Sequence, residues 1–455
     1  MNLISINPTN SKILKSYKEI SNDSINQIID SSYNTYLEWR NKSISYRSEK
    51  MKNLAELLRL RKEELGSLMT REMGKPISQS IAEAEKCAWV CDYYADNAEQ
   101  FLSNKEISTD STKSFISFQP IGLVLAIMPW NFPFWQVFRF ASPTLMAGNV
   151  GILKHASNVQ GCAKEIEKLF LESGFPKHAF SNLVIGSNKV SNVIKNPLVR
   201  AVTLTGSTPA GKSVASLAGS LLKKTVLELG GNDPYVILED ADLDNAVDSC
   251  IAGRMLNTGQ SCIAAKRFIV VKSCLNDFID KVEQKIKNMK MGDPLDSTID
   301  IGPMVNNDSR DELHEQVLLS VDKGAILRSG GKIPDKEGSF YPPTLLINVK
   351  PGMPAFDDEL FGPVAVIISA KDEDHAIELA NKTNYGLGAA IFTRDLDKGE
   401  KIATNKLEAG SCFVNDFVKS DPRLPFGGIK ESGYGRELSE YGLLEFVNIK
   451  SIVIR

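Results

Sequence analysis

Arg200-Ala-Val-Thr-Leu-Thr-Gly-Ser-Thr-Pro-Ala-Gly-Lys-Ser213 reads as an apolar strand (200–204), a glycine turn and the start of a helix expected over about 209–222. A further strand opens at Thr225 and ends at Glu228. Strand, helix and strand in this succession close with a right-handed crossover and a parallel strand pair. The same alternation stands upstream: strands over 121–128 and 150–153, a helix over 159–172 stopped by Gly174, and a strand over 182–185. The chain therefore reads as α/β with a mostly parallel sheet, and ligands are expected at the carboxyl ends of its strands.

Beyond Gly230-Gly231 a second set of strands follows, over 235–238, 268–271, 325–328, 364–368 and 389–392, so a domain boundary is expected near Gly231. Upstream, Leu54, Leu57, Leu58, Leu65, Leu68 and Met69 recur at helical spacing. They predict one long amphipathic helix over 46–73, ended by Gly74 and Pro76. A second helix is predicted over 77–101. The last segment, 446–455, alternates and is rich in Ile and Val, and is expected to pair within the chain or across subunits.

A length of 455 residues leaves room for two or three domains, and 42% hydrophobic residues with a net charge of −3 describe an ordinary globular protein. No basic excess calls for nucleic acid. The longest apolar run, 121–130, is broken by Gly122 and Pro129 and is too short to span a bilayer. The amino-terminal residues show no secretory pattern, and seven cysteines without a CxxC pair favour free thiols in a reducing, cytoplasmic setting. Cys87 and Cys91 read as packing on the second helix, and the four histidines are scattered without ligand spacing, so no metal site is expected.

Several stretches carry chemistry. Asn257-Thr-Gly-Gln-Ser-Cys262 sets a thiol in a small polar turn, and Glu228 ends its strand just before two glycines. A thiol nucleophile needs a group that takes its proton or later activates water, so the two point to covalent catalysis through a thioester. Gly206-Ser-Thr-Pro-Ala-Gly211-Lys212-Ser213 satisfies the P-loop pattern GxxxxGK(S/T), and the strand leading to Asp240 looks like the acidic strand that accompanies it. A glycine turn that aims helix N–H groups at phosphate serves a dinucleotide equally well, so both an NTPase and a dinucleotide enzyme stay open at this point. Asn131, in Pro129-Trp130-Asn-Phe-Pro133, offers an amide donor for an oxyanion hole, or else caps its own turn. Glu359-Leu-Phe361-Gly-Pro363 offers a carboxylate for ribose hydroxyls and an aromatic ring, or else is an ordinary turn.

Taken together and in this order, NTGQSC, ELGG, PWNFP, Lys154 after its strand, GSTPAG, ELFGP and Pro425-Phe-Gly-Gly428 resemble the aldehyde dehydrogenase superfamily, from about Asn7 to the carboxyl terminus. The resemblance implies a Rossmann-like cofactor domain (1–111 and 129–230) and an α/β catalytic domain (231–436), whose carboxyl-terminal part returns to the first in one reading. It also implies a small β bridging element (112–128 and 437–455) serving a homodimer or homotetramer. Cys262 is then the nucleophile, Asn131 and the Cys262 N–H the oxyanion donors, and Glu228 the base that hydrolyses the thioester. Cofactor contacts are implied for Trp130, Lys154, Ser157, Gly206, Ser207, Gly211, Glu359 and Phe361, and Lys212 loses its triphosphate role.

One departure and one resemblance bear on specificity. After Lys154 the family commonly carries Pro, a small residue and Glu, where this chain has His155-Ala156-Ser157. Ser157 tolerates a 2′-phosphate that Glu repels, and Lys154 attracts it, so NADP is expected to be preferred, with NAD accepted. Arg139 resembles the arginine that grips the distal carboxylate in the succinate-semialdehyde branch of the family. Trp135, Ser261, Lys419 and Ser420 are expected to add substrate contacts. The expected reaction is oxidation of succinate semialdehyde, with other small or aromatic aldehydes as the alternative.

Overall fold

The computed structural model describes residues 2–455. A six-stranded sheet runs, edge to edge, Gly433–Tyr434, Lys224–Glu228, Val199–Thr205, Leu123–Met128, Val150–His155 and Phe180–Asn182. Its strands are parallel except Gly433–Tyr434, which lies antiparallel to Lys224–Glu228. The inner strand Leu123–Met128 is a continuous apolar run with five of its six residues buried, as a parallel strand covered on both faces requires. Helices Ile77–Phe101, Trp135–Met146 and Gln160–Glu172 contribute to the core that covers this sheet.

The chain leaves this sheet at Glu228 and enters a second, seven-stranded sheet at Pro234. There the order is Ile326–Ser329, Thr344–Ile347, Val364–Ala370, Arg267–Val271, Pro234–Ile237, Gly388–Phe392 and Ser411–Val414, parallel but for the antiparallel edge strand Ile326–Ser329. Separate apolar clusters back its two faces. A third sheet joins Val447–Ile454, Lys113–Pro120 and Lys105–Glu106, all antiparallel.

Two expectations are revised by this architecture. Residues 112–128 do not form one bridging unit: Lys113–Pro120 pairs with the carboxyl-terminal strand, whereas Leu123–Met128 sits between Val150–His155 and Val199–Thr205 in the six-stranded sheet. Gly122, at φ 130°, lies between the two strands. The helix expected over 46–73 is two helices, Ile44–Leu60 and Lys62–Met73. They meet at Arg61 (φ −106°, ψ 10°), whose guanidinium gathers Glu64, Glu165 and Glu172. Apolar spacing continues across the break, so periodicity alone does not register it.

The first sheet positions the chemistry. Pro129 to Asn131, Gly206-Ser207, Glu228 and Lys154 all stand at the carboxyl ends of its strands, the edge where α/β sheets bind ligands.

Candidate active site

Cys262 is presented by a loop whose backbone is held in an unusual conformation. Asn257, Thr258 and Gly259 are consecutive left-handed residues (φ 54°, 56° and 73°), and all three are buried. For a β-branched threonine this conformation is an outlier, and it persists where surrounding contacts over-determine it. Here they do. Asn257 Nδ2 donates to the Asn131 carbonyl at 2.8 Å and to the Gln260 carbonyl at 3.1 Å, while the Asn257 N–H donates to Gln79 Oε1 at 2.7 Å. The Val305 N–H donates to Gln260 Oε1 at 2.9 Å. At Gly259 any Cβ would stand 2.2 Å from the Gly362 carbonyl oxygen, so only glycine fits.

Asn131 is tied to this loop. Its Nδ2 donates to the Gln260 carbonyl at 3.1 Å, and its Oδ1 accepts from Gln136 Nε2 at 3.0 Å. A side-chain amide carries two N–H groups, so one remains to serve an oxyanion. Lys266 Nζ braces the loop from the other side, donating to the Ser261 and Cys262 carbonyls at 2.9 and 2.6 Å.

Two cavities meet at Cys262, which lines both together with Gln136. The first, of about 220 Å³, is walled by Trp130, Asn131, Gly206, Ser207, Glu359 and Phe361. The helix Thr208–Ser220 begins there with no side chain capping its first N–H groups, which leaves them for an anion. Glu359 pairs with Lys266 at 3.0 Å and accepts the Gly231 N–H at 3.2 Å. A Cβ at Gly230 would stand 2.4 Å from Glu359 Oε2, so this glycine admits the carboxylate. Trp130 and Phe361 meet edge to face, 5.8 Å between ring centres. An uncapped helix start, an acid and two aromatics fit a dinucleotide. Lys154 and Ser157 stand one strand further along the same sheet edge and do not line this cavity. Gly211 packs on Leu229, where a Cβ would come within 2.5 Å, so its place is in helix–sheet packing.

The second cavity, of about 210 Å³, is apolar along most of its wall: Phe132, Trp135, Leu256, Ile263, Phe417 and Phe426. Its polar side chains include Ser261, Arg139, Ser420, Lys419, Lys86 and Glu83. Arg139 is buried and ion-paired with Glu437 through Nε, and its guanidinium lies 4.6 Å from the centre of the Phe426 ring. The guanidinium edge expected to hold a substrate carboxylate is therefore partly engaged by an internal acid.

Burial sets the protonation of the reacting groups. It pushes the Cys262 thiol up to about 12, against a smaller opposing pull from Arg139 and Lys266. The Glu228 carboxylate is 1% exposed and neither oxygen has a hydrogen-bond partner. Burial first, and Glu437 second, raise it well above the usual carboxylate range. Burial and the neighbouring Glu437 thus both favour the protonated form of Glu228 over the charged one.

The P-loop alternative fails on topology. Lys212 is exposed and pairs with Glu431 at 3.0 Å. Asp240 follows a strand of the other sheet, and its carboxylate accepts the Thr393 hydroxyl at 2.9 and 2.8 Å. Strand and acid that would share one phosphate site thus lie in different sheets.

Sequence reading missed Glu437, Lys86, Lys266 and Gln136. For Lys86 a signal existed: Gln79, Glu83 and Lys86 fall at spacings of four and three on one helix, a single face. Glu437 carries no local signal, because its partners are distant in sequence.

The profile of the aldehyde dehydrogenase family matches residues 2–452. Over 454 residues, covering all of both chains, the sequence is 47% identical to a probable succinate-semialdehyde dehydrogenase [NADP(+)] of Synechocystis sp.. It is 45% identical to a succinate semialdehyde dehydrogenase [NAD(P)+] of Escherichia coli, covering 99% of this chain and 97% of the other. The crystal structure of a succinic semialdehyde dehydrogenase from Streptococcus pyogenes, solved with NADP+, superposes with a TM-score of 0.97 at 37% identity, covering 99% of each chain.

Proposed function

Given that the chain belongs to the aldehyde dehydrogenase family, we propose that it oxidises succinate semialdehyde to succinate with NADP, and less efficiently with NAD. The observation that carries this reading is the meeting of two cavities at Cys262, one suited to a dinucleotide and one apolar with cationic groups in its wall.

The Cys262 thiolate adds to the aldehyde carbon. The oxyanion formed is met by the free Asn131 amide N–H and the Cys262 backbone N–H. A bound nicotinamide supplies the hydride acceptor. The thioester on Cys262 is hydrolysed by water that Glu228 deprotonates, and carboxylate leaves. Gln136 fixes the Asn131 amide by donating to its oxygen, so the N–H face points away from that contact.

Glu359, Ser207 and the start of helix Thr208–Ser220 support the cofactor reading, and Ser157 with Lys154 supports the 2′-phosphate. Residues 1–111 with 129–230, extended by Leu123–Met128, serve as the cofactor domain, and the seven-stranded sheet carries the catalytic domain. The sheet of Val447–Ile454 and Lys113–Pro120, with Ile449, Val453 and Ile454 exposed, serves assembly into a homodimer or homotetramer. No helix among the described residues is long and apolar enough to cross a membrane. A cytoplasmic location agrees with seven unbridged cysteines.

The aromatic lining of the substrate cavity favours a second reading, a neutral or aromatic aldehyde. Steady-state kinetics with succinate semialdehyde, butanal and benzaldehyde against both cofactors decides between them. A kcat/KM that does not favour the acidic aldehyde rejects the first reading.

A further inference from the structure

The substrate cavity contains three cationic side chains, and their partners differ. Arg139 pairs with Glu437 through Nε, and Lys419 pairs with Asp416 at 2.5 Å. The acid on the wall, Glu83, is itself spent: it pairs with Lys75 and accepts the Phe134 and Trp135 N–H groups at 2.9 Å each. Lys86 alone has no carboxylate within ion-pairing distance among the described residues. Its ammonium donates to Ser420 Oγ at 2.8 Å and lies 4.4 Å from the centre of the Trp135 ring. A lysine ammonium has three N–H donors, so two remain for a ligand, and Ser420, accepting from Lys86, keeps its own hydroxyl hydrogen to donate beside them. Helix spacing places Gln79, Glu83 and Lys86 on the face that walls the cavity.

Resting on the acidic-aldehyde reading above, we propose that Lys86, with Ser420, is a further charged anchor for the substrate's distal carboxylate. Arg139, paired with Glu437 through Nε alone, keeps terminal N–H donors in the same cavity. An incoming carboxylate meets an uncompensated positive charge at Lys86, which is the larger electrostatic gain in a desolvated pocket. The free amine is kept weakly basic. Burial draws it down to about 8, and Arg139 adds to the fall, while Cys87, Glu83 and Asp421 oppose it. Lys419 and Glu437 complete the charged groups of this neighbourhood. A bound carboxylate restores the charge.

The test compares succinate semialdehyde with butanal, an aldehyde of equal chain length without the acid, in wild type, Lys86→Met and Lys86→Arg. The ratio of their kcat/KM values cancels any general loss of activity. In Lys86→Met the ratio falls about tenfold or more through KM for the semialdehyde, and Lys86→Arg restores most of it. In wild type that KM rises above pH 8, and the rise is absent in Lys86→Met. An unchanged ratio in Lys86→Met overturns the anchor while leaving the substrate reading intact. A wild type indifferent to the acid overturns both. Should Lys86→Met fail to fold, acetic anhydride labelling of Lys86 in wild type supplies the answer: succinate slows it and butanamide does not, and equal labelling overturns the proposal.

Discussion

Arg139 and Glu437 form a buried ion pair that stands beside Glu228 and ties the helix Trp135–Met146 to the chain just before its last helix, Ser439–Leu444. Glu437 raises the Glu228 carboxyl and Arg139 lowers it, and Arg139 also pulls the Cys262 thiol down against its burial. Replacing Glu437 by Gln removes the like charge and leaves Arg139 free to act on Glu228. Both changes lower the Glu228 pKa. In Glu437→Gln the acidic limb of kcat is therefore expected to move to lower pH, with folding stability lowered by about 3–5 kcal/mol for the broken buried pair. A limb moving to higher pH contradicts this.

Ser157 is exposed at the end of the strand Val150–His155. A glutamate there places a negative charge at the position proposed to take the 2′-phosphate of NADP. Ser157→Glu is expected to lower the NADP-to-NAD ratio of kcat/KM at least about tenfold, or about 1.4 kcal/mol. Paired cofactor kinetics measure it, and an unchanged ratio places the discriminating contact elsewhere.

The Cys262 thiol, held up to about 12 by burial, is almost wholly protonated in the free protein at neutral pH. Its reaction with iodoacetamide is expected to climb about tenfold per pH unit between pH 7 and 9, without a plateau. Loss of activity with time reports the rate. A plateau near pH 7 would mean a thiolate already formed.

Asp233 is buried where the chain passes between the two large sheets, and burial raises its carboxyl to about 7. The folded state thus holds its proton more tightly than the unfolded chain. That contribution is fully present below about pH 4 and is lost as pH rises through 7. Asp233→Asn is expected to flatten the decline of stability over this range, by on the order of 2–4 kcal/mol from the size of the shift. Urea unfolding at pH 5 and pH 8 checks it: a decline as steep as that of wild type rejects the assignment.

The α/β class, the strand-end edge and the candidate trio were legible because each depends on short-range pattern: Asn131 in a turn just beyond a strand, Glu228 at the end of one, and Cys262 in a turn after a helix. The helix break at Arg61 was not, because three acids from elsewhere in space hold it while the apolar spacing runs on. Nor was the division of 112–128, because pairing partners decide which sheet a strand joins, and one of them is the carboxyl-terminal strand. Arg139 was legible as a wall of the substrate cavity, but its partner Glu437 comes from nearly 300 residues away. Charge neutralisation across such a separation is a property of the fold.

In the proposed mechanism Glu228 is the base that releases the thioester from Cys262. The direct measurement is stopped-flow absorbance of reduced cofactor in Glu228→Gln mixed with NADP and succinate semialdehyde. The expected trace is a burst equal to the number of active sites, then turnover slowed by about 10²-fold or more, with the acylated Cys262 peptide recovered by mass spectrometry. Steady turnover at the wild-type rate, with no burst and no acylated Cys262, contradicts it.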